Sequence, residues 1–500
     1  MNADPQSETL RFLVGLDGGE KVVATHISRV VLGRSRAYKL KRPVVFPYLD
    51  FSTPEKRLAM CRREAALNRR LAAELYLGAR RVTREADGSL SFDGAGELVD
   101  AVVEMRRFPD DALLDARAAR GDLDAATIEA LAGRIAAFHE SAEIVVESGG
   151  AAALRRVLTL NAASLRQAGL APPEEVEAHV ARLQAMLAAH AARLDARHAA
   201  GKTRHCHGDL ILRNICLLDG APTPFDCIEF SDDIARIDTL YDLAFLLMDL
   251  WRVGAPELAN VALNRYLDAR DETDGLPLLP LFMALRASIR AHVAASQGAR
   301  EEARGLFELA RALTREKAPQ IVAIGGYSGS GKSSVAAALA PRLGPPPGAR
   351  TLNSDRLRKK MFGVAPTQRL PPQAYESAVS AKVYAQMFDE AARVAAAGWP
   401  VVVDAVFDRP QSRAEVEGRA KAQGVPFAGF WLDVGLAARL GRVGERRGDA
   451  SDATADVLLR QAQGDPGEIL WRKIAAARTL EAIVAEIDAA LRKSSGVGDA

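Results

Sequence analysis

The sequence predicts a multidomain protein of mixed class, an α+β half followed by a parallel α/β half. Three observations carry this expectation. At 500 residues the chain is too long for one ordinary hydrophobic core. Residues 1–315 begin with short β-prone runs and continue as Ala- and Leu-rich helix, the order of an α+β domain. From residue 319 to 494, β-branched runs alternate with helical segments, the order that builds a parallel sheet. The boundary falls at 316–319, where Lys317-Ala318-Pro319 closes a polar stretch.

The elements follow from local pattern. Val22-Val23-Ala24 and Val30-Val31-Leu32 are short β-prone runs, and Ala37-Tyr38-Lys39-Leu40-Lys41 follows a Gly33-Arg34-Ser35-Arg36 turn. Met60, Leu67 and Leu71 recur at helical spacing and place a helix over 54–75. Residues 99–105 read as a buried strand ended by Phe108-Pro109, which closes a small lobe of 1–108 ahead of a helical lobe of 109–315. Two apolar runs, 215–218 and 224–228, interrupt the helical lobe and read as a hairpin. Beyond the boundary, Ile321-Val322-Ala323-Ile324, Thr351-Leu352, Val401-Val402-Val403 and 427–432 are the strands.

Composition narrows the class. Hydrophobic residues make up 48% and charged residues 26%, the balance of a globular chain. Lys and Arg number 66 against 64 Asp and Glu; the formal charge of +2 argues against a broad electrostatic footprint for nucleic acid. Four cysteines cannot make a disulfide framework, and the polar, acidic opening does not read as a targeting sequence. The apolar run 276–285 is too short to span a bilayer, and 240–250 contains Asp242 and Asp249. A cytoplasmic protein without membrane or nucleic-acid partners is expected.

Gly326-Tyr327-Ser328-Gly329-Ser330-Gly331-Lys332-Ser333 satisfies G-x-x-x-x-G-K-S/T, with a strand before it and a helix over 335–343 after it. Glycines let backbone N–H groups close on phosphate oxygens at a helix N-terminus. Lys332 is expected to bridge β- and γ-phosphates of ATP, Ser333 to place its hydroxyl on Mg²⁺, and Ser334 to lie at the nucleotide. Asp404, ending the strand 401–403, can hold Mg²⁺ or its water. Asp355, in Asn353-Ser354-Asp355-Arg356-Leu357-Arg358, faces the same sheet edge and suits the base that takes a hydroxyl proton, with Arg358 on an anionic substrate. Ser354-Asp355 also reads as the N-cap of a helix over 356–362. Arg439, Arg442 and Arg446 recur at i, i+3, i+7 and share one helical face, which suits a closing lid on the nucleotide; a solvated surface more often mixes its charges.

The first half carries a second phosphate-handling pattern. His207-Gly208-Asp209-Leu210-Ile211-Leu212-Arg213-Asn214 has the spacing H-x-D-x-x-x-x-N, and Asp226 follows twelve residues after Asn214. In such a loop the Asp accepts the substrate hydroxyl proton, while the Asn and the later Asp grip Mg²⁺. A strand lysine should reach the α/β-phosphates and pair with a helix glutamate. Lys39 and Lys41 point to one face and the spacing does not separate them; Lys39 is the choice, with Glu64 as its partner. Glu64 also reads as a solvated helix carboxylate. No Ala-Pro-Glu and little chain follow Asp226 before the helix near 240, so a small-molecule hydroxyl suits the site better than a protein substrate. Glu229, Asp232 and Asp233 suit either a cationic acceptor or a solvated loop.

Two resemblances follow from these motifs. Residues 319–494 resemble the P-loop small-molecule kinases, a group that includes gluconate, shikimate and chloramphenicol kinases and zeta toxins. The glycine loop carries the resemblance, and it implies a parallel-sheet α/β kinase fold. The Asp209, Asn214 and Asp226 set resembles the aminoglycoside phosphotransferase family, which implies a two-lobed fold like that of protein kinases. Many members of that family have a second His at the position of Ile211; this chain departs there. The whole layout looks like bacterial proteins in which such a domain is fused to a P-loop kinase. Together the resemblances imply two ATP- and Mg²⁺-using heads, each phosphorylating a small-molecule hydroxyl. The competing reading is one kinase head regulated by a nucleotide-binding or ATPase head.

His205-Cys206-His207 with Cys216 and Cys227 lacks the paired spacing of zinc sites. His139 ends a helix and reads as packing or capping. Arg286 and Arg290 lie at i, i+4 on a helix over 278–295, where they suit hydrogen bonds to the interior of the helical lobe; substrate contact is the other reading.

Overall fold

The computed structural model describes residues 4–18, 21–25, 27–46, 49–315, 317–444 and 451–494; His26, Arg446 and Arg447 lie outside the described residues. The chain divides into two compact units, Met1–Val253 with Leu285–Phe307, and Gly254–Ala284 with Glu308–Ala500. Chain order and compaction therefore differ over Gly254–Ala284, which precedes the 316–319 stretch yet groups with the second unit.

The first unit opens with an antiparallel sheet in the order Lys21–Ala24, Ser28–Leu32, Arg36–Lys41, Glu97–Arg106, Tyr76–Arg84, Leu90–Phe92. The last two were not expected from the sequence, because Arg80, Arg81 and Arg84 mask the alternation. The helix Pro54–Ala72 starts on a Thr53 side chain that accepts the Lys56 N–H, with Pro54 in its first turn. It lays Leu58, Cys61, Ala65 and Ala72 against Ala37, Ala101, Val103 and Met105 of the sheet. On another apolar cluster, Leu13 of the N-terminal helix Ser7–Leu16 packs with Val31, Leu40, Val82 and Val102.

The hairpin of the helical lobe pairs Ile215–Leu218 with Ala221–Pro224, earlier than the run 224–228 read from sequence. The correction has a local cause. Asp219 and Gly220 both have positive φ, 51° and 80°, and make the two-residue turn that antiparallel strands favour. This leaves Asp226 just past the strand end. Behind the hairpin, the helix Thr239–Arg252 is buried from Thr239 through Leu250.

The second unit holds a parallel sheet in the order Arg350–Asn353, Val401–Asp404, Ile321–Gly325, Phe427–Asp433, Arg472–Ala475. Ile321–Gly325 and Val401–Asp404 are buried throughout, as strands covered on both faces must be. The fifth strand escaped the sequence reading because only Ile474 of its four residues is buried. At the opposite edge, the helix Pro256–Ala269 satisfies groups along Arg350–Asn353. Asn264 Oδ1 accepts the Thr351 N–H at 2.7 Å, and Asn260 and Asn264 donate to the Ala349 carbonyl at 3.0 and 3.2 Å. Arg350, itself buried, pairs with Asp268 and Glu390 at 2.7 and 2.8 Å. A helix over a strand edge is one way a sheet avoids open pairing.

Among the described residues, Thr273–Ser296 is long and apolar enough by length and composition to cross a membrane, and 67% of its most apolar window is buried inside the protein. It is longer than the run 276–285 because Ala-rich turns extend it.

Candidate active sites

In the first unit the strand Arg36–Lys41 brings both lysines to the helix glutamate. Lys39 Nζ donates to Glu64 Oε1 at 2.7 Å and also contacts Asp226 Oδ1. Lys41 Nζ contacts Glu64 Oε2 and Glu229 Oε1. Lys39 is thus the lysine joined to Asp226, while Lys41 is fully buried one step deeper. Glu64 is buried between two ammonium groups, not solvated. Burial opposes its charge, yet Lys39 and Lys41 hold its carboxyl below the usual range. Burial pushes Glu229 up despite Lys41. Asp226 has φ 60°, a left-handed conformation Asp tolerates, and its N–H donates to Tyr76 Oη at 3.1 Å.

The loop 207–214 holds Asp209 against Asn214, whose Nδ2 donates to Asp209 Oδ2 at 2.8 Å and to its carbonyl at 3.0 Å. Burial raises the Asp209 carboxyl above its ordinary value, while Arg213, His207 and Arg290 pull the other way. Two carboxylates that sequence reasoning missed fix this loop. Asp242 accepts the His207 and Gly208 N–H groups at 3.1 and 2.8 Å and contacts His139 Nε2 at 3.0 Å. Asp249 accepts the Leu212 N–H at 2.9 Å. The signal was present: two carboxylates seven apart, two helical turns, in an otherwise apolar run. His139, Cys206 and Asp242 lie together, with ligand atoms within 4.8 Å. Burial pushes the Cys206 thiol well above its usual pKa, and Asp242 is engaged with the loop, so the group reads as loop support.

One continuous cavity of about 650 Å³ lies in this unit. Val30, Leu32, Ala37 and Met105 line it from the sheet, Lys39, Asp209 and Asp226 from the sequence motifs, and Leu160, Phe245 and Ile289 from helices. Two of the three carboxylates considered for a cationic acceptor are otherwise occupied, Glu229 by Lys41 and Asp232 by Arg63 and Arg236, while Asp233 is exposed.

In the second unit the glycine loop runs from strand Ile321–Gly325 into the helix Lys332–Leu339, which starts at the motif lysine rather than at 335. Gly329 and Gly331 have φ 84° and 92°, and a Cβ on Gly329 would stand 2.9 Å from the Arg439 carbonyl oxygen. Lys332 Nζ donates to the Tyr327 carbonyl at 3.2 Å. Gly326 begins the loop, and a Cβ there would meet the Leu432 carbonyl and Ser330 Oγ at 2.8 Å. Asn353 Nδ2 donates to Ser333 Oγ at 3.2 Å and to Asp404 Oδ2 at 2.5 Å, joining the hydroxyl and the carboxylate expected at the metal. Ser334 follows on the same helix and is exposed.

Asn353 is also the helix cap: its Oδ1 accepts the Arg356 N–H at 2.9 Å, so Ser354-Asp355 is not the N-cap but the first turn of Ser354–Met361. Burial raises the Asp355 carboxyl; among the opposing or reinforcing charges are Lys332, Asp404 and Arg358. Arg358 donates to the Ala374 carbonyl at 2.6 Å and lies 4.8 Å from the Tyr375 ring. The arginine face is divided. Arg439 is buried over the Tyr327 ring at 5.0 Å, and Arg442 donates to the Ser330 and Ala476 carbonyls at 3.0 and 2.7 Å. The helix Leu436–Gly444 runs to the last described residue before 445, and Arg446 lies outside the described residues.

A model of the phosphotransferase enzyme family (APH) matches residues 7–276, and an AAA domain model (AAA_33) matches residues 321–464. An uncharacterized protein of Mycobacterium tuberculosis and one of Mycobacterium bovis are each 30% identical over 465 residues, covering 89% of this chain and 90% of the relative. Among solved structures, a gluconokinase from Sinorhizobium meliloti 1021 is 24% identical over 36% of this chain and 94% of its own, with TM-score 0.26. A choline/ethanolamine kinase family protein from Mesorhizobium loti is 14% identical over 62% of this chain and 95% of its own, with TM-score 0.39.

Proposed function

The chain belongs to the phosphotransferase enzyme family and carries a P-loop kinase-like domain behind that match, and from this premise we propose a protein with two ATP-dependent kinase heads, each phosphorylating a small-molecule hydroxyl. The observation that supports it is the grouping of polar residues. Lys39, Glu64, Asp209, Asn214 and Asp226 all belong to one compact unit, and the loop 326–333, Asn353, Asp355 and Asp404 all belong to the other. Neither set draws a residue from the other unit.

In the first head, Asp209 takes the proton of the acceptor hydroxyl as its oxygen attacks the γ-phosphorus and the bond to the β-phosphate oxygen breaks. Asn214 orients that carboxylate from 2.8 Å. Lys39, steadied by Glu64, binds α/β-phosphate oxygens once its contact with Asp226 is exchanged for nucleotide. Hard oxygen donors suit Mg²⁺, so Asn214 and Asp226 in this head, and Ser333 and Asp404 in the other, would hold it. Bound there, Mg²⁺ neutralises phosphate charge. In the second head, backbone N–H groups of Gly329, Ser330 and Gly331 cradle phosphate, Lys332 neutralises the γ-phosphate, Arg442 steadies the loop, and Asp355 accepts the acceptor proton.

The test is ADP release by the wild type, Asp209→Ala, Lys332→Ala and the double variant, with a panel of hydroxylated metabolites. Independent heads predict single-variant rates that sum to the wild-type rate and a silent double variant. Loss of all turnover in either single variant would favour one catalytic head under control of the other.

A further inference from the structure

The helical side of the first unit's cavity carries an arginine that the phosphoryl-transfer set leaves unused. Arg286 lines the cavity and is only 3% exposed. Its guanidinium lies 3.8 Å from the Tyr241 ring centre and 4.4 Å from that of Phe245, and its Nε donates to the Tyr241 carbonyl at 3.1 Å. Its Nη2 is buried without a hydrogen-bond partner among the described residues. A guanidinium stacked on rings and bonded to one carbonyl is held in place with a donor unused, the arrangement that recognises a planar anion.

The surroundings agree in sign. Arg290, one turn along the same helix, also lines the cavity, and its charge acts on Asp209. Glu302 approaches Arg290 at 3.5 Å and offsets part of that charge. Arg213 lines the cavity beside Asp209. The nearby carboxylates have other partners: Glu229 is held by Lys41, and Asp226 contacts Lys39 here and would hold Mg²⁺ once nucleotide takes its place on that lysine. The rest of this wall is largely apolar, with Leu160, Phe230, Ile234 and Ile289, and Asn161 and Ser164 as neutral polar groups.

We infer that the first head's acceptor is an apolar hydroxy acid, its carboxylate on Arg286 and its hydroxyl at Asp209. The inference rests on the reading of this unit as a kinase head. In the step, the hydroxyl oxygen bonds to the γ-phosphorus, the γ-phosphorus to β-bridging-oxygen bond breaks to release ADP, and the hydroxyl proton passes to Asp209.

The test uses the full chain carrying Lys332→Ala, so that ADP release reports the first head. The probes are a series of 3-hydroxyalkanoates, their methyl esters and the matching amino alcohols, with phosphorylated product read directly. An acid should be used at least about tenfold better in kcat/KM than its ester or amino alcohol, because the ester offers the guanidinium only a neutral acceptor in place of a charge-assisted one and the ammonium of the amino alcohol is repelled. Arg286→Met should raise KM for the acid about tenfold, leave its kcat within about twofold and leave the ester unchanged. The probe comparison needs no variant of Arg286, so it decides even if Arg286→Met does not fold. Equal or better use of ester or amino alcohol overturns the inference, as does an equal effect of Arg286→Met on acid and ester. Absence of phosphorylated product in every arm also overturns it. The kinase reading stands in that case if a hydroxylated compound outside the series gives Asp209-dependent ADP release, and falls if none does.

Discussion

Replacing Lys41 by Met should destabilise the first unit strongly, although Lys41 is not the lysine that touches Asp226. Its ammonium is fully buried between Glu64 and Glu229. In the variant Glu64 keeps Lys39 at 2.7 Å, but Glu229, 3% exposed, loses the only ion pair it makes among the described residues. Removing one partner of a buried pair costs about 3–5 kcal/mol, chiefly because the remaining charge has no compensation. For a unit of about 276 residues each kcal/mol moves the midpoint by roughly 2 °C, so a fall of about 5–9 °C is expected. Lys41→Met/Glu229→Gln should recover about 1–2 kcal/mol of the loss, since it removes the orphaned charge. The pH dependence has a definite sign. Burial already raises the Glu229 carboxyl, and without Lys41 it rises further, so the folded variant takes up a proton at a pH where the unfolded chain does not. The penalty should therefore shrink as pH falls through that raised value and be largest above it. Pulse proteolysis in urea, with peptides identified by mass spectrometry, reads the free-energy loss in the first unit from its urea midpoint. A single-variant loss below about 1 kcal/mol, or a double variant no more stable than the single, would refute the reasoning.

Asp242→Ala should free the His207 and Gly208 N–H groups and the His139 ring, lowering first-head kcat far more than its affinity for ATP; bonds to a charged acceptor contribute about 1.5–3 kcal/mol each, and a kcat within twofold of wild type would show that the loop holds itself. Because burial raises the Asp209 carboxyl, acceptor phosphorylation by the first head should fall on acidification at a pH above the ordinary Asp range, and kcat/KM measured against pH should show one acid limb there. Asn353→Ala should cost the second unit about 1 kcal/mol as a lost helix cap and also depress its kcat, since the same side chain joins Ser333 to Asp404; an effect on the melting midpoint alone would reduce Asn353 to a cap.

The amino-acid sequence alone determined the features whose parts are neighbours in the chain. The glycine loop needs eight consecutive residues between a strand and a helix, and Asn214 reaches Asp209 across five positions, so spacing carries the geometry. The central strands Ile321–Gly325 and Val401–Asp404 were legible because strands covered on both faces must be apolar throughout. The strands Tyr76–Arg84 and Arg472–Ala475 were not, since arginines on the first and exposure of three residues on the second erase the pattern. Only tertiary structure distinguished Lys39 from Lys41: both sit on one strand face and both touch Glu64, and the difference is contact with Asp226, 187 residues away, against contact with Glu229, 188 residues away. The same holds for Asp242 under the loop at 207–208, Asn353 between Ser333 and Asp404, and Asn264 on the strand edge at Thr351. Each is a buried polar group whose partner must be supplied by packing of distant segments, and burial without a partner is what the fold cannot sustain.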